Sequence, residues 1–179
     1  AIANQAQLRG ADVTLVSGPT ALEPPEVSVF LRVESAQEMF EAVMGNFKTV
    51  DAVIMSAAVA DYRPAQQFST KQKKANSSLS SIELSYTTDI LKELGESKEE
   101  QILIGFALET DNELENGREK LNNKNLDLLV LNSLNDKGAG FGTDTNKVTF
   151  VTQSEERAFK LKSKIDVAKD ILDVLEKML

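Results

Sequence analysis

The feature that most constrains this chain is its repeated alternation of short apolar runs with segments of helical period. Residues 51–56 (DAVIMS), 101–106 (QILIGF) and 127–132 (DLLVLN) are nearly continuous apolar runs. A run of that length has two faces to bury, which predicts strands inside a parallel sheet covered on both sides. Residues 12–17 (DVTLVS), 27–33 (VSVFLRV), 81–86 (SIELSY) and 147–152 (KVTFVT) read as further strands.

The intervening segments carry helix signals. Residues 1–9 end at Gly10, a C-cap glycine. Ser35-Ala-Gln-Glu38 is a capping box, followed by Met39, Phe40, Val43, Met44 and Phe47 on one face. A short helix at 88–94 is expected to stop at Gly95, another helix spans about 111–124, and a last one spans about 163–178 with Ile165, Ala168, Ile171, Leu172 and Leu175 together. Strands separated by helices imply right-handed parallel crossovers, hence a doubly wound, mostly parallel α/β sheet of Rossmann-like type. Strand 147–152, after a Gly-rich stretch, is expected at an edge or antiparallel. The chain opens inside a helix with no strand before it, so the expectation is a single domain over 1–179, incomplete at its N-terminus and lacking its first strand.

Composition narrows the chemistry. The 179 residues include no Cys and no His, which excludes a Cys or His zinc site, a thiol nucleophile, a Ser-His-Asp triad and disulfides. What remains is Lys, Arg, carboxylates, amides and backbone dipoles, a set suited to phosphoryl or nucleotidyl transfer. A net charge of −8 argues against a nucleic-acid binder. No apolar run reaches a membrane span and no signal pattern opens the chain, so the expectation is a cytoplasmic protein without a membrane or nucleic-acid partner.

In an open parallel sheet, ligands bind beyond the carboxyl ends of the strands. The loop after 51–56 begins Ser56-Ala57-Ala58-Val59-Ala60-Asp61. Its small residues admit a ligand to the backbone, although strand–helix packing uses small residues equally often. Asp61 could orient a ribose or a metal ion, but a lone loop Asp is more commonly a turn residue. Lys71, Lys73 and Lys74 cluster in the irregular stretch 57–80, and a loop so long is usually functional or mobile. Lys120 and Lys124, spaced i,i+4, share a helix face, where Glu113, Glu115 and Glu119 are available ion-pair partners. Phe106, following Gly105 at a strand end, could stack on a base or join the core.

Taken in order, GADVTLVSGP at 10–19, MSAAVADYRP at 55–64, KxKK at 71–74, GFAxET at 105–110, KLxxKxxD at 120–127 and GFGTDTNKVT at 140–149 resemble the phosphopantothenoylcysteine synthetase family. In many bacteria that domain is the C-terminal half of a bifunctional protein whose N-terminal half is a flavin-dependent decarboxylase. The resemblance implies a CTP-dependent ligase joining 4'-phosphopantothenate to cysteine through an acyl-cytidylate, with Mg²⁺, as a homodimer; FMN would belong only to a fused decarboxylase half. It places nucleotide contacts at Met55, Ser56, Ala57, Ala58 and Asp61, at Thr88, Asp89, Ile90 and Leu91, and at Phe106. It assigns phosphate binding to Lys120 and Lys124, and binding and catalysis to Lys71. No metal ligand is assigned. The sequence departs from the family at Thr87-Thr88, Leu108 and Asn132-Ser133-Leu134, and lacks the family's opening strand and Gly/Ser-rich loop. Two other readings stand beside it: a CTP-binding fragment unable to complete catalysis, and a Rossmann-like dehydrogenase. No G-x-G-x-x-G follows a strand here, which counts against the second.

Overall fold

A computed structural model of the chain describes residues 1–66, 68, 70, 81–133 and 142–179. In chain order its elements are α1 (Ile2–Leu8), β1 (Thr14–Ser17), β2 (Val29–Arg32), α2 (Ala36–Phe47), β3 (Ala52–Met55), β4 (Tyr62–Pro64), β5 (Leu84–Tyr86) and α3 (Ile90–Ser97). There follow β6 (Ile102–Glu109), α4 (Glu113–Asn123), β7 (Leu128–Ser133), β8 (Thr145–Asn146), β9 (Val148–Val151), β10 (Glu156–Ala158), β11 (Lys162–Ser163) and α5 (Lys164–Met178).

The main sheet has the order β10-β9-β7-β6-β3. Strands β3, β6 and β7 run parallel, as the apolar runs predict, and β9 and β10 add antiparallel. The expected strand 147–152 is therefore β9, antiparallel and enclosed by β10 rather than at the edge. Alternation along β6 and β7 divides the core. Leu103, Ala107, Leu129 and Leu131 face α2, α3 and α4, whereas Ile102, Ile104, Leu128 and Val130 face α5, with Ile2 and Ala6 of α1 packed alongside. Helices thus cover both faces.

Local signals account for the helix ends. Gly10 has φ +86°, so it closes α1 in the left-handed region. The Ser35 side chain accepts from the Glu38 N–H, and the Glu38 carboxylate accepts from the Glu34 N–H at 2.9 Å. The box therefore reaches one residue further back than its pattern predicts. These bonds hold the Glu38 carboxyl below its ordinary range, the Glu34 amide contributing most and the Ser35 hydroxyl next.

Three local expectations are corrected. Gly95 does not end α3, which continues to Ser97; a Cβ on Gly95 would lie 2.0 Å from the Lys124 carbonyl oxygen. The glycine serves the close approach of α3 to the end of α4. Ile165 is exposed while Ala168, Ile171, Leu172 and Leu175 of the same helix are buried, because Ile165 lies along the open groove beside α1 and β1. Strand β3, expected to be buried on both faces, is only partly buried along its length.

The last correction has a topological cause. Strand β3 pairs with β6 alone, and β1 pairs in parallel with β2 alone, so β1–β2 is a sheet of its own. Among the described residues no strand lies between β1 and β3. A groove of about 1790 Å³ runs there, lined by Leu15 of β1, Ile54 of β3, α1, and Ile171 and Leu172 of α5. Among the described residues no helix is long and apolar enough to cross a membrane.

Candidate functional site

Beyond the carboxyl ends of β3 and β6 lies a cleft of about 130 Å³. Met55, the last residue of β3, and Ala57 form one wall with Asp61. The start of α3 forms another through Thr88, Asp89, Ile90 and Leu91. Phe106 of β6 and Lys124 at the C-terminal end of α4 complete it. Segments separated by tens of residues meet here because parallel crossovers return every strand's carboxyl end to one side of the sheet.

The predicted positions do not all converge. Ser56 lines the large groove instead, Phe106 borders both spaces, and neither Ala58 nor Lys120 lines the cleft. Lys71 lies outside the described residues, as do Lys73 and Lys74. Three residues that sequence reasoning left out also line the cleft: Val59, Ala60 and Thr87. Thr87 holds the wall together, its hydroxyl donating to the Ala60 carbonyl at 2.5 Å and its amide to the Asp61 carbonyl at 2.9 Å. The only sequence signal for it was negative, since Thr87 stands where the family pattern differs.

Helix α3 opens on Asp89, whose side chain accepts from the Lys92 N–H at 3.1 Å. The same carboxylate pairs with Lys124 Nζ at 2.9 Å. One turn earlier on α4, Lys120 Nζ sits 2.5 Å from Glu109 Oε1 at the end of β6. Among the described ion pairs, then, these lysines engage Glu109 and Asp89 rather than the expected neighbours Glu113, Glu115 and Glu119, because their helix face turns toward the sheet's carboxyl end.

The aspartate of the KLxxKxxD segment has a structural task. Asp127 pairs with Lys98 at 2.7 Å and accepts the Leu103 N–H at 2.7 Å, tying α3's end to β6 and β7. Beside the cleft, β4 and β5 form an antiparallel hairpin. Its Tyr62 and Tyr86 rings stand 5.0 Å apart and are both exposed, as are Ile82 and Leu84. The Tyr62 phenol is raised above its ordinary value, chiefly by its hydrogen bond with Tyr86, then by burial and by Asp61.

Among the described residues no group of three or more acidic side chains is placed to hold a metal ion. Asp61 lines the cleft, which fits Mg²⁺, an ion usually held by one or two carboxylates together with ligand phosphates, whereas Asp89 is engaged by Lys124 and by the cap of α3.

The chain matches the DNA/pantothenate metabolism flavoprotein C-terminal domain family over residues 1–179. It is 47% identical over 174 residues to the coenzyme A biosynthesis bifunctional protein CoaBC of Bacillus subtilis, covering 96% of this chain and 43% of that protein. It is 38% identical over 181 residues to the CoaBC protein of Vibrio vulnificus, covering 100% of this chain and 45% of that one. The chain thus spans less than half the length of these relatives. Among solved structures, the C-terminal domain of a CoaBC protein superposes with a TM-score of 0.82 at 44% identity, over 99% of this chain and 79% of that one. A Cab2 variant in complex with phosphopantothenate-cysteine shares the fold, with a TM-score of 0.60 at 16% identity over 84% of this chain and 52% of that one.

Proposed function

We propose that this chain, which belongs to the DNA/pantothenate metabolism flavoprotein C-terminal domain family, is the ligase part of a coenzyme A biosynthesis protein, joining 4'-phosphopantothenate to cysteine with CTP as the activating nucleotide. The observation that carries the reading is the cleft itself. Met55, Ala57 and Asp61 of one motif, Asp89 to Leu91 of a second, Phe106 of a third and Lys124 of a fourth line one space at the sheet's carboxyl edge.

In this reading the pantothenate carboxylate attacks the α-phosphorus of CTP. A bond forms between a carboxylate oxygen and the α-phosphorus, the bond from that phosphorus to the oxygen bridging to the β-phosphate breaks, and pyrophosphate leaves. The cysteine amine then attacks the activated carbonyl carbon, forming the amide as CMP departs and the nitrogen loses a proton. The chain's part is positioning and charge. Phe106 offers a flat apolar surface to the base, Asp61 a carboxylate to the sugar, and Lys120 and Lys124 ammonium groups to the phosphates. Lys71 would add charge stabilisation from the 57–80 segment. Mg²⁺, when bound, would neutralise phosphate charge, and Asp61 is the cleft carboxylate that would hold it where it does not hold the sugar. Cysteine is a substrate here, so a chain without Cys or His is consistent with the chemistry.

A homodimer is part of the proposal. The exposed Tyr62, Ile82, Leu84 and Tyr86 surface of the β4–β5 hairpin supports it, since apolar side chains gathered beside a site favour a covering partner.

Titration of CTP, ATP and NAD against the purified chain, and pyrophosphate release from CTP or ATP with phosphopantothenate, test the reading. CTP should support release without cysteine, and preference for NAD would sink the ligase assignment. Release that never proceeds to product when cysteine is added would favour the fragment reading. Lys71→Ala should lower turnover far more than stability; full activity, or loss of the fold, would refute the role given to that lysine.

A further inference from the structure

We infer that Glu109 and Asp89 are built-in competitors of ligand phosphate for Lys120 and Lys124, positioning the two ammonium groups in the free protein and hastening release of the pyrophosphate product. This rests on the proposed phosphate-binding role of those lysines.

The arrangement is paired. Lys120 and Lys124 lie one turn apart on α4, and each meets a carboxylate from a different element, Glu109 closing β6 and Asp89 opening α3. Neither carboxylate depends on its lysine alone for position. Glu109 Oε2 accepts from Asn116 Nδ2 at 3.3 Å, and the same amide donates to the Asp111 carbonyl at 2.9 Å. Asp89 is held as the cap of α3 through the Lys92 amide.

Burial differs between the pairs. The Glu109 side chain is 14% exposed against 44% for Lys120, whereas Asp89 is 47% exposed against 26% for Lys124. In the first pair the anion is the fixed, sheltered member and the ammonium faces solvent. In the second the ammonium is sheltered and lines the cleft together with its carboxylate.

An ammonium has three donors, so it can take a phosphate oxygen while keeping part of its bond to the carboxylate. The arriving phosphate then stands beside a carboxylate that cannot leave, and the two like charges repel. Bound polyphosphate is weakened by that repulsion, and the carboxylates recapture the lysines as pyrophosphate departs.

The test is calorimetric titration of inorganic pyrophosphate into the parent chain, Asp89→Asn, Glu109→Gln and the double variant, at low and high salt. Asn is as good a helix cap as Asp and Gln is isosteric with Glu, so each change removes charge with little cost to local structure; thermal unfolding checks this. Each variant should bind pyrophosphate roughly fivefold more tightly, the scale of one partly exposed charge contact. The double variant should bind more tightly still, and high salt should shrink the gain. In turnover, the KM for CTP should fall without a rise in kcat. Unchanged or weaker pyrophosphate binding in both single variants overturns the inference. Lys120→Ala and Lys124→Ala separate the two layers. If they weaken pyrophosphate binding while the carboxylate variants do not tighten it, the phosphate-site reading stands and the competitor role falls. If they leave it unchanged, or if no form binds, both fall.

Discussion

Strands β7 and β1 look alike as sequences yet sit in different worlds. LLVLNS and TLVS are both short, apolar and rich in branched side chains. β7 is bonded on both edges, and Leu128, Leu129, Val130 and Leu131 are buried. β1 is bonded only to β2, and every residue in it is partly exposed, with Thr14, Leu15 and Ser17 lining the groove. Burial of a strand is therefore a property of its neighbours. An apolar run states what a strand could cover, and the sheet order decides what it does cover.

The largest expected effect comes from opposite ends of that contrast. Leu128 and Leu15 both face the side on which α5 lies, the first fully buried and the second lining the groove. Leu128→Ala should cost about 2–5 kcal/mol in denaturant unfolding, as buried leucine truncations do. Leu15→Ala should cost under about 1 kcal/mol, since little apolar area is lost from cover. Equal losses would mean that the groove is closed in solution.

Gly95→Ala probes the packed region in the opposite sense. Its new methyl group would meet the Lys124 carbonyl, so α3 and the end of α4 must part, at about 1–3 kcal/mol by chemical denaturation. Lys124 lines the cleft, so nucleotide affinity should fall in the same variant. Retained stability would show that Gly95 does not approach the Lys124 carbonyl.

The smallest effect belongs to the cap of α2. The Glu38 carboxyl is held below its ordinary range in the folded state, so its contribution is present above the unfolded carboxylate value and disappears as pH falls through the lower folded value. Glu38→Gln should therefore lower the thermal midpoint slightly at pH 7 and not at all at strongly acid pH. A difference that persists in acid would assign the effect to packing.

Much of the candidate site was readable because it depends on short segments. The Ala-Ala-Val-Ala-Asp turn, the Asp89 cap and Phe106 each occupy a strand or helix end that sequence period locates, and a parallel sheet brings such ends together. Lys120 and Lys124 were readable as a face, but their partners were not. Glu119 and Glu115 are near in sequence, whereas Glu109 and Asp89 reach those lysines only once β6, α3 and α4 have packed. Thr87 was missed for the same reason, its two bonds reaching back to residues 60 and 61.

What the amino-acid order determined by itself was local. It set the periods of the strands and helices, the Ser35 and Gly10 ends, and a chemistry without thiol or imidazole. Tertiary structure alone decided that β10 encloses β9, that Gly95 sits under a carbonyl, and which carboxylate holds which lysine. Those outcomes depend on contacts between residues distant in the chain, and periodicity carries no information about them.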